Sequence, residues 1–179
     1  MLRQALRRRA LPACLRPAAG ARHAAAADLR TGLFRKISLG LLSAAVLYGI
    51  FWAGNLLVHA LLPGAVGGIA SLYDLKGCAS TARVALLLGL VIGPGEELVW
   101  RGVIQRAFTA RLGAVRGLLA ATALYAVVHL SSGNPMLILA ALVCGLFWGL
   151  LYQRTGSIVL VVISHTAWDL VVFLILPLT

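Results

Sequence analysis

Three short segments of the chain carry side chains able to move protons. Glu96-Glu97-Leu98-Val99-Trp100-Arg101 sets two adjacent carboxylates ahead of a guanidinium, Tyr125-Ala126-Val127-Val128-His129 ends on an imidazole, and His165-Thr166-Ala167-Trp168-Asp169 joins an imidazole to a carboxylate. On a helix, residues four apart share a face, so Glu97 meets Arg101, Tyr125 lies along His129, and Asp169 stands behind His165. Glu96 then points about 100° away from the ion pair. That division leaves Glu96 for general-base work. A carboxylate on one ring nitrogen fixes the tautomer of His165, whose ring can then donate to a developing oxyanion.

The placement of these acids is itself informative. The chain has only five acidic residues, and Glu96, Glu97 and Asp169 fall inside apolar segments, where an ionised side chain costs several kcal/mol and marks a bundle interior or water-filled cavity. At about 1.5 Å rise per residue, Glu96 lies roughly 15 Å from Arg106, His129 roughly 20 Å from Arg116 and His165 roughly 16 Å from Arg154. The three groups therefore reach similar depth. If the helices turn those faces inward, two imidazoles and two carboxylates meet in one pocket.

The elements that must hold them are apolar helices. Of the 179 residues, 61% are hydrophobic and 12% charged, against about 25% charged in a soluble domain. Apolar runs near 20 residues long follow one another and read as membrane spans. The first is expected over 37–62, closed by Pro63 and a Gly-rich connecting loop over 63–81 that includes Gly64, Gly67 and Gly68. The second covers about 82–106 and is interrupted at Gly93-Pro94-Gly95, so that its restarted half presents the positive end of a helix dipole to both glutamates. The third, fourth and fifth are expected over 118–130, 136–152 and 157–176. The fold class is all-α, a polytopic transmembrane helix bundle of about five spans. Residues 1–36 form a basic, disordered or loosely helical tail, and 37–179 the membrane domain, with its catalytic core at about 82–172.

Charge sets the orientation and excludes one class of function. Nine of the sixteen Lys and Arg residues lie in the first 36 positions, beside the first span, where they fix topology and attract anionic headgroups. No aromatic-interleaved basic face accompanies the net charge of +11, so nucleic acid is not the expected partner. A mitochondrial presequence would be Ser-rich, whereas the first serine is Ser38. The run that follows is long enough to span and lacks a small-residue cleavage site, against a secretory signal. Five spans put Arg106, Arg111, Arg116 and Arg154 on the same side as the amino terminus, giving a multi-pass integral membrane protein, expected in a bacterial inner membrane with a cytoplasmic amino terminus. Cys14, Cys78 and Cys144 are odd in number and too scattered for a disulfide framework or thiolate site.

Taken in order on successive apolar segments, EExxxR at Glu96–Arg101, a YxxxH variant of FxxxH at Tyr125–His129 and Hxxx(N/D) at His165–Asp169 resemble the CAAX prenyl protease and bacteriocin-processing (CPBP, or abortive-infection) family of membrane endopeptidases. Gly102 and the turn Arg154-Thr155-Gly156-Ser157-Ile158 add to the likeness, which covers about residues 82–172. The resemblance implies that Glu96 and His129 activate water, that Glu97 and Arg101 support them, and that His165 with residue 169 stabilises the oxyanion. Asp169 stands where the eukaryotic prenyl proteases carry Asn. An ionised Asp cannot donate to an oxyanion, so holding His165 is the role expected of it.

Two histidines and two glutamates also suit zinc. HExxH is absent, as is GxSxG, so no metal cofactor and direct glutamate–histidine activation are preferred to a zinc site or a serine nucleophile. The expected partners are the lipid bilayer and a peptide or lipidated-protein substrate. A non-catalytic scaffold or immunity-type binding protein of the same fold is the alternative. A transporter is a third reading, suggested by the broken second span but not by any internal repeat.

Overall fold

The structure, a computed structural model, describes residues 32–74 and 79–178. The expectations for the basic tail over 1–31 and for Cys14 and Cys78 lie outside the described residues. Among the described residues every regular element is helical.

Helix α1 runs Leu33–Leu61, so residues 33–36, assigned to the tail from their charge, are its first turn. Its outward face is apolar, with Leu42 61% and Leu57 60% exposed, a surface suited to lipid rather than water. A 3₁₀ turn at Pro63–Ala65 leads into α2, Val66–Asp74. This helix corrects the reading of 63–81 as loop. Gly67 and Gly68 read as breakers in the sequence, but a Cβ on Gly68 would sit 3.2 Å from Asn134 Oδ1 and Met136 Cγ, and the Asn134 amide donates to the Gly68 carbonyl at 2.7 Å and to Ser71 Oγ at 3.1 Å. The glycine serves close packing within a helix.

The expected break at Gly93-Pro94-Gly95 is also corrected. Helix α3 (Thr81–Leu86), a π-helical stretch (Leu87–Ile92), α4 (Gly93–Val99), a second π stretch (Trp100–Gln105) and α5 (Arg106–Leu112) follow one another without interruption. Proline lacks an N–H and crowds the carbonyl four residues back; the wider π turn ahead of Pro94 accommodates both, with the Gly93 N–H reaching back to the Leu88 carbonyl. There is thus no free helix end at Gly95 to present a dipole to the glutamates.

Helix α6 (Ala114–Val128), a 3₁₀ turn (Leu130–Ser132), α7 (Pro135–Thr155), α8 (Ile158–Leu170) and a π turn (Val171–Ile175) complete the bundle. Asn134 caps α7 by accepting from the Met136 N–H at 2.9 Å, and Ser157 caps α8 by accepting from the Leu160 N–H at 3.1 Å. Four helical segments are long and apolar enough to cross a membrane, at Leu33–Leu61, Ala114–Ser132, Pro135–Thr155 and Ile158–Ile175. The continuous run over 81–112 packs among them and carries the acids. The protein is an all-α, polytopic, integral membrane helix bundle.

Contacts give the helix directions. Gly40 lies against Ile163, Ser43 Oγ donates to Ser164 Oγ at 2.9 Å and Phe51 packs on Trp168, so α1 and α8 run parallel. Gln153 donates to the Ala114 carbonyl at 2.6 Å, bringing the end of α7 beside the start of α6. Arg35, Arg111, Arg116 and Arg154 consequently gather at one end of the bundle.

Candidate active site

Helix α4 and the π stretch after it bring Glu97 and Arg101 into the fully packed interior, 0% and 2% exposed. Arg101 Nη1 donates to Glu97 Oε1 at 3.1 Å, the ion pair expected from their spacing. The guanidinium also donates to the carbonyls of Cys144 and Gly145 on α7, at 3.4 and 3.2 Å, and lies 5.4 Å from the Tyr125 ring centroid. One helical turn on, Gln105 Nε2 donates to the Gly149 carbonyl at 2.9 Å. A polar seam therefore locks this helix to α7, satisfying a charge that burial alone would expel.

Glu97 has a second partner that spacing did not reveal. The same Oε1 lies 2.6 Å from His165 Nδ1, 68 residues away, while Asp169 Oδ2 lies 3.4 Å from His165 Nε2. The expectation that Asp169 holds His165 is thus half of the arrangement, because the shorter contact comes from Glu97. Close approach of α4 to α8 makes it possible: a Cβ on Gly93 would lie 2.6 Å from Thr166 Oγ1, so only glycine allows this crossing.

A third contact fixes the plane of the imidazole. The Trp148 indole stacks on His165, and Trp148 Nε1 donates to Ser164 Oγ at 3.2 Å, the same hydroxyl that Ser43 reaches from α1. An isolated tryptophan on an apolar helix carries no signal that its face meets a histidine on another span.

Glu96 points to the other side of α4, as expected, and is half-buried. Its Oε2 accepts from Tyr125 Oη at 2.7 Å. His129, at the end of α6, donates from Nδ1 to the Tyr125 carbonyl at 2.7 Å, since a carbonyl can only accept; a neutral ring then carries its lone pair on Nε2. Glu96, His129, His165 and Asp169 all line one half-open cavity of about 440 Å³, bordered by α1, α2, α4, α6, α7 and α8. Glu97 and Arg101 lie behind its wall. Among the described residues no three His, Cys, Asp or Glu side chains are grouped as metal ligands would be.

An apolar bundle keeping acids and imidazoles around one cavity is a polytopic membrane protein with ionisable groups gathered within its helices. The family model for Type II CAAX prenyl endopeptidase Rce1-like proteins matches residues 79–171, and the chain belongs to that family, one of membrane proteases. No curated protein matches the chain, and no solved structure does.

Proposed function

We propose that the protein is an intramembrane endopeptidase that hydrolyses a peptide bond with water activated by Glu96 and His129. The observation carrying this reading is that the two groups are tied to one residue, Tyr125, whose hydroxyl holds Glu96 and whose carbonyl holds His129, at the wall of a shared cavity.

Glu96 takes a proton from a cavity water as the water oxygen attacks the carbonyl carbon of the scissile bond. The Nε2 lone pair of His129 orients that water. The carbonyl π electrons move to oxygen, and His165 Nε2, whose contact with Asp169 is long at 3.4 Å, turns its proton to the oxyanion. Collapse breaks the C–N bond, and the amine leaves with the proton from Glu96. Glu97, Arg101 and Asp169 hold His165 in place. The scheme calls for no metal: both His165 nitrogens face carboxylates, and His129 Nε2 spends its lone pair on the water.

The substrate is a membrane-associated peptide or lipidated protein tail, and the arginine-rich end of the bundle faces the cytoplasm. Incubating the full chain in lipid–detergent micelles with a panel of membrane peptides, a farnesylated CAAX peptide among them, tests the reading by mass spectrometry. New termini that appear with the wild-type protein and not with His129→Gln support it; a panel left intact by the wild type, or cut equally by both, contradicts it.

A further inference from the structure

Helix α1 lies outside the residues matched by the family model, yet it builds one wall of the cavity through Ile50, Phe51, Gly54, Asn55 and Val58. These positions form a single helical stripe, and Asn55 is its polar member. Asn55 Oδ1 is sealed from solvent and has no hydrogen-bond partner among the described residues. Amides in membrane bundles ordinarily bond to a neighbouring helix, and one left unpaired at that depth is unfavourable. Here the residue borders the cavity, and rotation of the carboxamide about χ2 brings the unpaired oxygen to its wall.

A protease substrate brings the groups such an amide needs. The scissile segment must be unwound to be attacked, and unwound backbone away from water has N–H and C=O groups without partners. A primary carboxamide offers an acceptor and a donor side by side, the match for the N–H and C=O of one residue in an extended chain. We propose that Asn55 binds the backbone of one substrate residue, Oδ1 accepting from that residue's N–H and Nδ2 donating to its C=O, and so lays an extended chain along the α1 wall. This assignment rests on the endopeptidase reading and deepens it, adding a substrate-binding residue from a helix that carries none of the three motifs.

The test uses the full chain and, as probe, whichever panel peptide is cut by the wild type and spared by Glu96→Gln. Asn55→Leu keeps side-chain volume and removes both bonds. Because backbone pairing serves ground and transition states alike, KM rises about tenfold while kcat holds. The apparent melting temperature stays level or rises, since an unpaired amide has gone. A series of singly N-methylated probe peptides then contains one position that weakens the wild type about tenfold and adds nothing in Asn55→Leu, the signature of a shared bond. An unchanged KM, or no N-methyl position whose effect vanishes in the variant, overturns the assignment and leaves the endopeptidase standing. A panel with no Glu96-dependent cut removes both.

Discussion

The Trp148 indole lies flat against the His165 imidazole, with ring centroids 3.7 Å apart and planes 18° from parallel. Three directions are thereby fixed for one ring: Glu97 at Nδ1, Asp169 at Nε2 and the indole on its face. Two hydrogen-bond partners leave a ring free to rock about the line joining its nitrogens; the stack removes that freedom.

Trp148→Phe is expected to lower kcat about tenfold with KM little changed, because the smaller ring covers less of the imidazole and the indole bond to Ser164, about 0.5–1.5 kcal/mol, is lost. Trp148→Ala, at a site 1% exposed, costs about 3–5 kcal/mol and is expected to lose the fold. Steady-state kinetics beside thermal melts separate the two. A Trp148→Phe enzyme with wild-type kcat contradicts a positioning role.

Arg101→Leu strands the Glu97 carboxylate in the core and is expected to cost about 3–5 kcal/mol, seen as a lower melting temperature and poor recovery from the membrane. Adding Glu97→Leu removes the stranded charge and restores most of that stability. Activity does not return, because His165 has lost its 2.6 Å partner. An active double variant removes Glu97 from the account.

How much of this was legible follows from where the partners lie. Partners four apart on one helix were readable: Arg101 with Glu97, and Asp169 with His165. The Glu97–His165 contact was hidden because it joins α4 to α8 and depends on helix packing, which spacing along one segment does not encode. The apolar runs mark five spans, because burial in lipid demands continuous hydrophobicity; four correspond to helices long and apolar enough to cross, and the remaining one, over 82–106, is the run of short α and π segments that carries the acids. Glycine misled twice, at Gly67-Gly68 and at Gly93-Pro94-Gly95, since the signal for a turn is the same as the signal for close helix packing. In the second case the π turn absorbed the proline's missing bond. Spacing places Tyr125 on one face with His129; that its two oxygens serve Glu96 and His129 required the fold.

Gly93→Ala places a methyl 2.6 Å from Thr166 Oγ1 and is expected to cost about 1–3 kcal/mol, with activity falling as α4 moves away from His165. Thr166→Ala in the same chain relieves the clash and recovers both. Alone, Thr166→Ala is close to neutral, because its hydroxyl is buried without a partner. Failure of the second substitution to rescue the first would place the strain elsewhere.

Cleavage of the probe peptide is expected to proceed unchanged in 1,10-phenanthroline after dialysis against EDTA. Loss of activity restored by added zinc would assign water activation to a metal held by the cavity histidines and reject the cofactor-free route.

The central claim is that Glu96 takes the proton from water. Glu96→Gln keeps an oxygen for the Tyr125 hydroxyl, so the fold and the Tyr125 bond survive while the base is lost. Single-turnover cleavage of the probe peptide by this variant, at unchanged melting temperature, is predicted to slow by about 10²–10⁴-fold. A wild-type rate from correctly folded Glu96→Gln contradicts the account.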